Sequence, residues 1–137
     1  MKKIISIIAV LCVIFSCQQS YSQKKDSSTK VSMINLISSP EEYHGKKIRV
    51  NAYLKIKHES NAIYLNKDDY RYSIYKNAIY LYVDRDKLEK FLESPYEGYV
   101  SIEGIFNKND KGHLSLFSGS LSNVTNIYRL SEKKDVP

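Results

Sequence analysis

The chain has 137 residues, enough for one domain, and 42% of them are hydrophobic. Its formal net charge is +6, but residues 31–130 contain 14 basic and 12 acidic side chains and so carry only +2. A charge this small does not form the concentrated basic surface that nucleic-acid binding requires, which argues against nucleic acid as a partner.

The first 22 residues have the pattern of a secretory signal peptide. A short basic start at Met1–Lys3 is followed by an apolar run of 12 residues, Ile4–Phe15. Such a run is too short to cross the roughly 30 Å hydrocarbon core of a bilayer as a helix. The sequence therefore predicts a cleaved signal over residues 1–22 and an exported protein.

Two positions fit a cleavage site. Ser20–Ser22 suits ordinary signal peptidase, whereas Ile14–Cys17 resembles the lipobox of bacterial lipoproteins, although Phe15 departs from the small or β-branched residue usual there. Cys17 would be the single cysteine of the mature chain, because Cys12 lies in the apolar run. Lipidation removes the problem of a lone thiol in an oxidising compartment, so we favour lipidation and keep ordinary cleavage as the alternative.

With a lipidated Cys17, the signal shortens to residues 1–16 and residues 17–30 form a tether. This segment is rich in Ser, Gln and Lys, a composition typical of flexible spacers. Gln18 replaces the Asp that retains lipoproteins at the inner membrane of some Gram-negative bacteria, which favours the outer membrane. The predicted location is the cell envelope, either periplasmic or anchored to a membrane by lipid.

The domain is predicted to span residues 31–130 and to begin with a short helical segment. Val31–Leu36 is apolar and is closed by Pro40, and Gly45 ends a second brief turn. Lys47–Ile56 then alternates between inward apolar residues and outward polar or tyrosine residues. A period of two with one apolar face predicts a half-buried strand.

Shorter alternating runs follow. Ala62–Asn66 and Ala78–Val83 are predicted strands, separated by a polar, tyrosine-rich loop at residues 67–77. Asp84–Leu92 changes to helical spacing, and Pro95 stops the predicted helix shortly after it.

The last part of the domain is again extended. Tyr99–Phe106 alternates as a fourth strand, in which Gly104 indicates a bend or a bulge. A polar hairpin loop leads to a fifth strand over His113–Phe117. Gly119–Leu130 continues extended, and residues 131–137 are predicted to be a disordered tail. Three strands, a helix and two strands are the element order of the OB-fold. We therefore predict a mainly β protein, a small five-stranded OB-like barrel with one helix between strands three and four.

Three segments resemble exported bacterial OB-fold proteins. Pro40–Lys46 has the pattern Pro-x-x-Tyr-x-Gly-Lys before an alternating strand, and Val100–Gly104 has the pattern Val-x-Ile-x-Gly. Phe117–Val124 is similar to the closing segment of that group, so the resemblance spans about residues 33–128. It implies the OB-fold and a place among small envelope proteins and lipoproteins, and it implies no activity and no catalytic residue.

A candidate ligand-binding face follows from the predicted barrel. OB barrels commonly bind ligands on the outer face of strands two and three, beside the loops that join strands one to two and four to five. Aromatic side chains beside cations can stack bases or sugars and hold anionic groups. The residues predicted on this face and in these loops are Tyr53, Tyr64, Tyr80, Tyr82, Lys57, His58, Lys108, Lys111 and His113. Tyrosine is also a favoured strand residue, so the same pattern fits a purely structural role.

No constellation in the sequence predicts catalysis, a metal or a cofactor. His44, His58 and His113 lack metal-ligand spacing. No serine has a Gly-x-Ser-x-Gly setting, and no Gly-rich phosphate loop is present. Asp68 and Asp69 fall in the predicted loop, where they could meet a cation or orient a sugar. We favour a solvated turn whose tyrosines pack over the barrel. We therefore expect a protein that is not an enzyme.

Three functions are consistent with the sequence. The first, which we favour, is a non-catalytic envelope module that binds a protein or a cell-wall glycan while tethered by lipid. The second is an exported binder of single-stranded nucleic acid or another polyanion, which the tyrosines and loop lysines favour and the domain charge of +2 opposes. The third is a small hydrolase or enzyme inhibitor, supported only by scattered His, Asp and Tyr residues.

Overall fold

The computed structural model describes residues 27–56, 61–92 and 96–132. The strands in these ranges are β1 (Thr29–Val31), β2 (Lys47–Lys55), β3 (Ala62–Tyr64), β4 (Ala78–Leu81), β5 (Glu97–Asn107) and β6 (Ser120–Arg129). The helices are α1 (Met33–Ser38), α2 (Lys67–Arg71) and α3 (Arg85–Phe91), with single 3-10 turns at Pro40–Glu42, Tyr75–Asn77 and His113–Ser115. No helix in this part of the chain is long and apolar enough to span a membrane.

Five strands close into a barrel. β2 pairs antiparallel with β3 on one side and with β5 on the other, and β3 continues antiparallel to β4. β5 pairs antiparallel with β6, and a parallel pairing of β4 with β6 completes the ring. With α3 between β4 and β5, this is the OB arrangement, so the predicted small five-stranded barrel is confirmed. Closure leaves these short strands without an open sheet edge.

The barrel interior is filled by the apolar positions of the alternating pattern. Every second residue of β2 points inward and is at most 1% exposed: Ile48, Val50, Ala52 and Leu54. This is the strand phase that the period of two predicts. Leu88 of α3 and the following Leu92 belong to the same buried cluster, so the helix between β4 and β5 packs against the barrel core.

The segment before β2 also packs on the barrel. β1 runs parallel to the first half of β2, with Thr29 opposite Ile48. The paired chain therefore begins two residues before the predicted start of the domain at residue 31, inside the segment predicted as tether. α1 corresponds to the predicted short N-terminal helix. Ser32 caps α1 by accepting a hydrogen bond from the backbone N–H of Asn35 at 3.1 Å.

The prediction of a strand over His113–Phe117 was wrong. Gly112 and Leu114 have left-handed backbone, with φ of 61° and 55°, which interrupts an extended run. Residues 113–115 form a 3-10 turn instead. The fifth strand of the barrel is β6, which lies within the segment predicted as a further extended stretch.

Candidate ligand-binding surface

Tyr53 and Tyr64 lie on the outer side of the barrel, as the strand phase predicts. They are directly opposite one another in the β2–β3 pairing. Nevertheless, only 4% of Tyr53 and 3% of Tyr64 is exposed. Their rings belong to a second buried cluster, separate from the barrel core, which also contains Ala62, Ala78 and Phe117. Two of the four tyrosines of the predicted ligand face, Tyr53 and Tyr64, are therefore covered by other parts of the same chain.

α2 supplies one half of this cover. It lies in residues 67–77, which were predicted to be a loop without helix. The ring centre of Tyr70 is 5.4 Å from that of Tyr64 and 6.2 Å from that of Tyr53. At these separations the three tyrosines make direct ring contacts, which stabilise the cover beyond simple burial.

A polar network holds α2 in place. Asn66 caps the helix by accepting a hydrogen bond from the backbone N–H of Asp69 at 2.8 Å. The carboxylate of Asp69 in turn accepts bonds from the amides of Asn66 and Asn77 at 3.0 and 3.2 Å. Both aspartates lie in α2, and Asp69 is buried while Asp68 is exposed, so the expected solvated turn was wrong. The expected packing of a tyrosine from this segment over the barrel is confirmed for Tyr70.

The loop between β5 and β6 supplies the other half of the cover. Phe117 is 1% exposed, and its ring centre lies 5.5 Å from that of Tyr75 and 5.3 Å from that of Tyr80. Gly112 approaches Tyr80 so closely that an added Cβ would lie 2.3 Å from its ring, so only glycine fits there. We call the outer surface around Tyr53 and Tyr64, covered by Tyr70 and Phe117, the closed face.

Burial keeps the tyrosines of the closed face uncharged. It raises the pKa of Tyr64 to about 12. It also raises the pKa of Tyr53, and the hydrogen bond from its hydroxyl to the carboxylate of Glu97 raises it further. Phenols with such pKa values stay protonated at neutral pH, so these side chains act as packing groups rather than as acids or bases.

The cations predicted beside this face are spread over other contacts. Lys111 donates to the backbone carbonyl of Ser118 at 2.6 Å, and burial lowers its pKa. Lys108 forms an ion pair with Glu41 at 2.8 Å, and His113 is exposed in the 3-10 turn. The remaining two predicted residues, Lys57 and His58, lie outside the described residues.

An open groove lies beside the closed face, beyond the last paired residues of β4 and β6, Leu81 and Leu121. Its volume is about 410 Å³, within the range of roughly 300–1,000 Å³ common for small-molecule sites. The polar and aromatic side chains along it are Asn61, Tyr80, Tyr82, Asp84, Lys87, Ser122 and Asn123. We call this the β4–β6 groove.

Tyr82 forms the aromatic wall of the groove and is 47% exposed. Its ring meets that of Tyr80 edge-on, with centres 4.9 Å apart and planes at 69°. Its hydroxyl donates to the carboxylate of Asp110 at 3.3 Å. Burial raises the pKa of Tyr82, and this hydrogen bond raises it further. The ring is thus fixed on one side and accessible on the other.

A β-bulge shapes the part of the groove lining that β6 supplies. Glu103 pairs with Asn126 and Ile105 with Ser122, so three residues of β6 lie opposite Gly104 alone. Gly104 permits the close approach, because an added Cβ would lie 2.7 Å from the carbonyl oxygen of Ser122. Asn123, within the bulge, has a φ of 47°. Bulges and left-handed non-glycine residues of this kind are frequent where a side chain is directed toward a site.

The polar groups of the groove were missed by the sequence analysis, apart from the two tyrosines. Asp84 begins the helix predicted between strands three and four, and it occupies the N-cap position of α3 without a capping side-chain hydrogen bond. Lys87 lies within that predicted helix and was given no role. Ser122 and Asn123 were noted only in the closing segment that resembles exported OB-fold proteins. Gly104 indicated a bend or a bulge in the fourth strand but not which residues of β6 lie opposite it.

A second polar cluster surrounds Glu103 and differs in character. Its carboxylate accepts hydrogen bonds from Asn126 at 2.7 Å, Ser28 at 2.8 Å and Arg49 at 2.6 Å. These bonds, with that of Asn126 the strongest, lower its pKa to about 2. Because the carboxylate is fully engaged, the cluster joins the N-terminal segment to the barrel and leaves no reactive group. No set of three His, Cys, Asp or Glu residues in the described ranges could hold a metal ion.

The chain is distantly similar to several solved structures, including the following two. A putative aspartyl-tRNA synthetase from Leishmania major Friedlin is similar over 96% of this chain and 27% of its own, with 17% identity and a TM-score of 0.48. The OBody AM3L15 bound to hen egg-white lysozyme is similar over 67% of this chain and 87% of its own, with 17% identity and a TM-score of 0.43. This chain thus spans about a quarter of the synthetase's length. No protein-family model and no curated protein matches the sequence.

Proposed function

We propose that the protein is a non-catalytic binding module of the bacterial cell envelope, exported, anchored by lipid on Cys17, and binding its ligand at the β4–β6 groove. The choice of binding surface rests on one observation, which is that two neighbouring surfaces differ in whether the chain covers them. The usual OB face is filled by Tyr70 and Phe117 of the same chain, whereas the groove beside it is open and lined by polar groups.

The sequence supports the anchored location. The basic start, the short apolar run and the lipobox-like Ile14–Cys17 precede a polar spacer. Eleven residues lie between Cys17 and Thr29, the first residue of β1. At roughly 3.5 Å per extended residue, such a spacer reaches at most about 40 Å. The barrel would therefore work close to the membrane that holds the lipid.

A nucleic-acid ligand is disfavoured by the same geometry. Single strands bind to OB folds by stacking bases on exposed aromatic rings in a basic groove. Here Tyr53 and Tyr64 are buried, and the open groove balances the ammonium of Lys87 with the carboxylate of Asp84. Two of the lysines offered for phosphate contact, Lys108 and Lys111, are already engaged by Glu41 and Ser118.

A hydrolase is disfavoured by the histidines. His44 accepts a long bond of 3.4 Å from the backbone N–H of Lys108. In the described part of the chain, neither His44 nor His113 is hydrogen-bonded to a serine, a threonine or a carboxylate. A histidine base needs such a partner within reach to activate a nucleophile.

The location is tested by the intact mass of the mature protein from its native membrane fraction. A mass that begins at Cys17 and includes acyl chains supports the anchored module. A mass that begins at Gln23, or a protein recovered only in the soluble fraction, contradicts the anchor.

The binding surface is tested by site-specific photo-crosslinking in native envelopes. The photoreactive residue p-benzoylphenylalanine is introduced at Tyr82 and, as the control, at Tyr72, which directly follows α2, is 73% exposed and does not line the groove. We expect adducts at Tyr82 that are absent at Tyr72. Equal labelling at both positions, or none, would contradict binding at the groove.

A further inference from the structure

We propose that the β4–β6 groove is a saccharide site, which takes an uncharged sugar unit against Tyr82 and hydrogen-bonds its hydroxyls through Asp84, Lys87 and Asn123. This inference rests on the proposed function and specifies its ligand. It depends on three properties of the groove, namely a preorganised ring, solvent-facing polar groups of mixed charge, and a lining shaped by a β-bulge.

The ring is preorganised for stacking. Tyr80 holds Tyr82 edge-on, and Tyr80 is itself fixed between Phe117 and Gly112. The hydroxyl of Tyr82 is directed to Asp110, so a ligand meets a ring that has little rotational freedom to lose. The C–H face of a sugar ring is apolar and flat enough to pack on such an aromatic wall, and burying it there removes apolar surface from water.

The polar groups of the groove have hydrogen-bonding capacity to spare. In the described ranges, the side chains of Asp84, Lys87, Ser122 and Asn123 make no hydrogen bond or ion pair with the protein. A carboxylate, an ammonium, an amide and a hydroxyl together supply both donors and acceptors. Adjacent hydroxyls of a sugar, each a donor and an acceptor, match this mixture.

The charges select against an anionic ligand. Among the described groove residues, the carboxylate of Asp84 and the ammonium of Lys87 are the two charged groups. A phosphate chain in the groove would face the carboxylate of Asp84 without a cluster of cations to offset it. An uncharged ligand does not incur this repulsion, which is why a saccharide fits better than a polyanion.

The part of the groove lining that β6 supplies is shaped by its bulge. Asn123 has a φ of 47°, and Gly104 lets β5 and β6 approach closely beside it. The side chain of Asn123 is exposed, and its amide can both donate to and accept from one sugar. The bulge therefore places a solvent-facing amide in the groove.

The test is binding of the full mature chain, in detergent, to an array of neutral tetrasaccharides of glucose, mannose, galactose and N-acetylglucosamine, with a dT oligonucleotide as counter-probe. We expect one or more of the sugars to bind. We expect Tyr82→Ala and Asn123→Ala each to weaken that binding by roughly tenfold or more, which corresponds to about 1.4 kcal/mol. Tyr82→Phe, which keeps the ring, should retain most of the affinity, and Tyr72→Ala should be unchanged.

Three results would overturn the proposal: no sugar on the array binds, the bound sugar is insensitive to Tyr82→Ala, or the oligonucleotide binds in a salt-dependent manner in its place. Thermal melting of each variant separates lost binding from lost folding. If no sugar binds but crosslinking at Tyr82 recovers an envelope protein, the saccharide inference fails and the binding module stands. If sugars bind but the mature mass lacks lipid, the anchored location fails and the saccharide site stands.

Discussion

Tyr64 and Tyr82 lie on the outer side of one barrel, on β3 and just after the neighbouring β4, yet 3% of Tyr64 and 47% of Tyr82 is exposed. The difference comes from what covers them. Tyr64 lies beneath α2 and the β5–β6 loop, whereas Tyr82 packs edge-on against Tyr80 and donates a hydrogen bond to Asp110 of that loop. The same residue type therefore stabilises the fold in the closed face and is available to a ligand in the β4–β6 groove.

The largest effect is expected from removing the centre of the cover. Phe117→Ala should lower the free energy of unfolding by about 3–5 kcal/mol, because it deletes a fully buried ring and leaves a cavity beside Tyr75 and Tyr80. Urea denaturation measures this cost. Leu114→Ala in the same loop is the control, since Leu114 is 75% exposed and its loss should change stability by less than about 0.5 kcal/mol. Similar costs for both variants would mean that the loop does not close the face.

The pH dependence of stability separates this neutral packing from the charged cluster at Glu103. The pKa of the Glu103 carboxyl in the folded protein is about 2, below the usual 4.5. The contribution of Glu103 to stability is therefore present above about pH 4.5 and is lost as the pH falls toward 2. The shift corresponds to roughly 3 kcal/mol. We expect the free energy of unfolding, measured by urea titration, to fall by this order between pH 5 and pH 2, and the fall to be smaller in Glu103→Gln. An equal fall in both proteins would assign the acid sensitivity to other carboxylates.

An intermediate effect is expected from the cap of α2. Asn66→Ala removes the bond to the N–H of Asp69 and should cost about 1 kcal/mol. It should also loosen the helix that covers Tyr64, which hydrogen exchange in residues 67–71 can measure. Ser32→Ala removes the equivalent cap of α1 and is the matched control. It should cost a similar amount without changing exchange in α2, and increased exchange in both variants would point to general destabilisation.

The smallest effect on stability is expected in the groove. Tyr82→Ala should cost less than about 1 kcal/mol, because nearly half of the side chain already faces solvent. Tyr64→Ala, by contrast, should cost about 3 kcal/mol. Comparing the two midpoints of thermal unfolding checks the contrast. Equal costs would show that Tyr82 is a packing residue like Tyr64.

The barrel could be predicted from the local pattern because its core residues recur at every second position within a strand. The alternation in β2 set both the strand and its inward face, and the switch to helical spacing located α3. The error at His113–Phe117 has a local cause that composition does not reveal, since Leu114 and Ser115 both adopt left-handed backbone without being glycine.

The candidate site was harder to predict because it depends on contacts between distant segments. The phase of Tyr53 and Tyr64 was right, but their cover comes from Tyr70 and Phe117, which no period-two pattern connects to them. The groove depends on a bulge that exists only where β5 pairs with β6. Spacing along one strand indicates which side a residue faces and does not indicate what lies over it.

Hydroxyl-radical footprinting of the native full chain, with peptide mass analysis, tests the contrast between the two surfaces most directly. Aromatic side chains react with the radical in proportion to their exposure. The prediction is that Tyr72 and Tyr82 are oxidised rapidly and that Tyr53 and Tyr64 are protected until the protein unfolds. Oxidation of Tyr53 and Tyr64 at the rate of Tyr82 would contradict it, because the usual OB face would then be open to ligands.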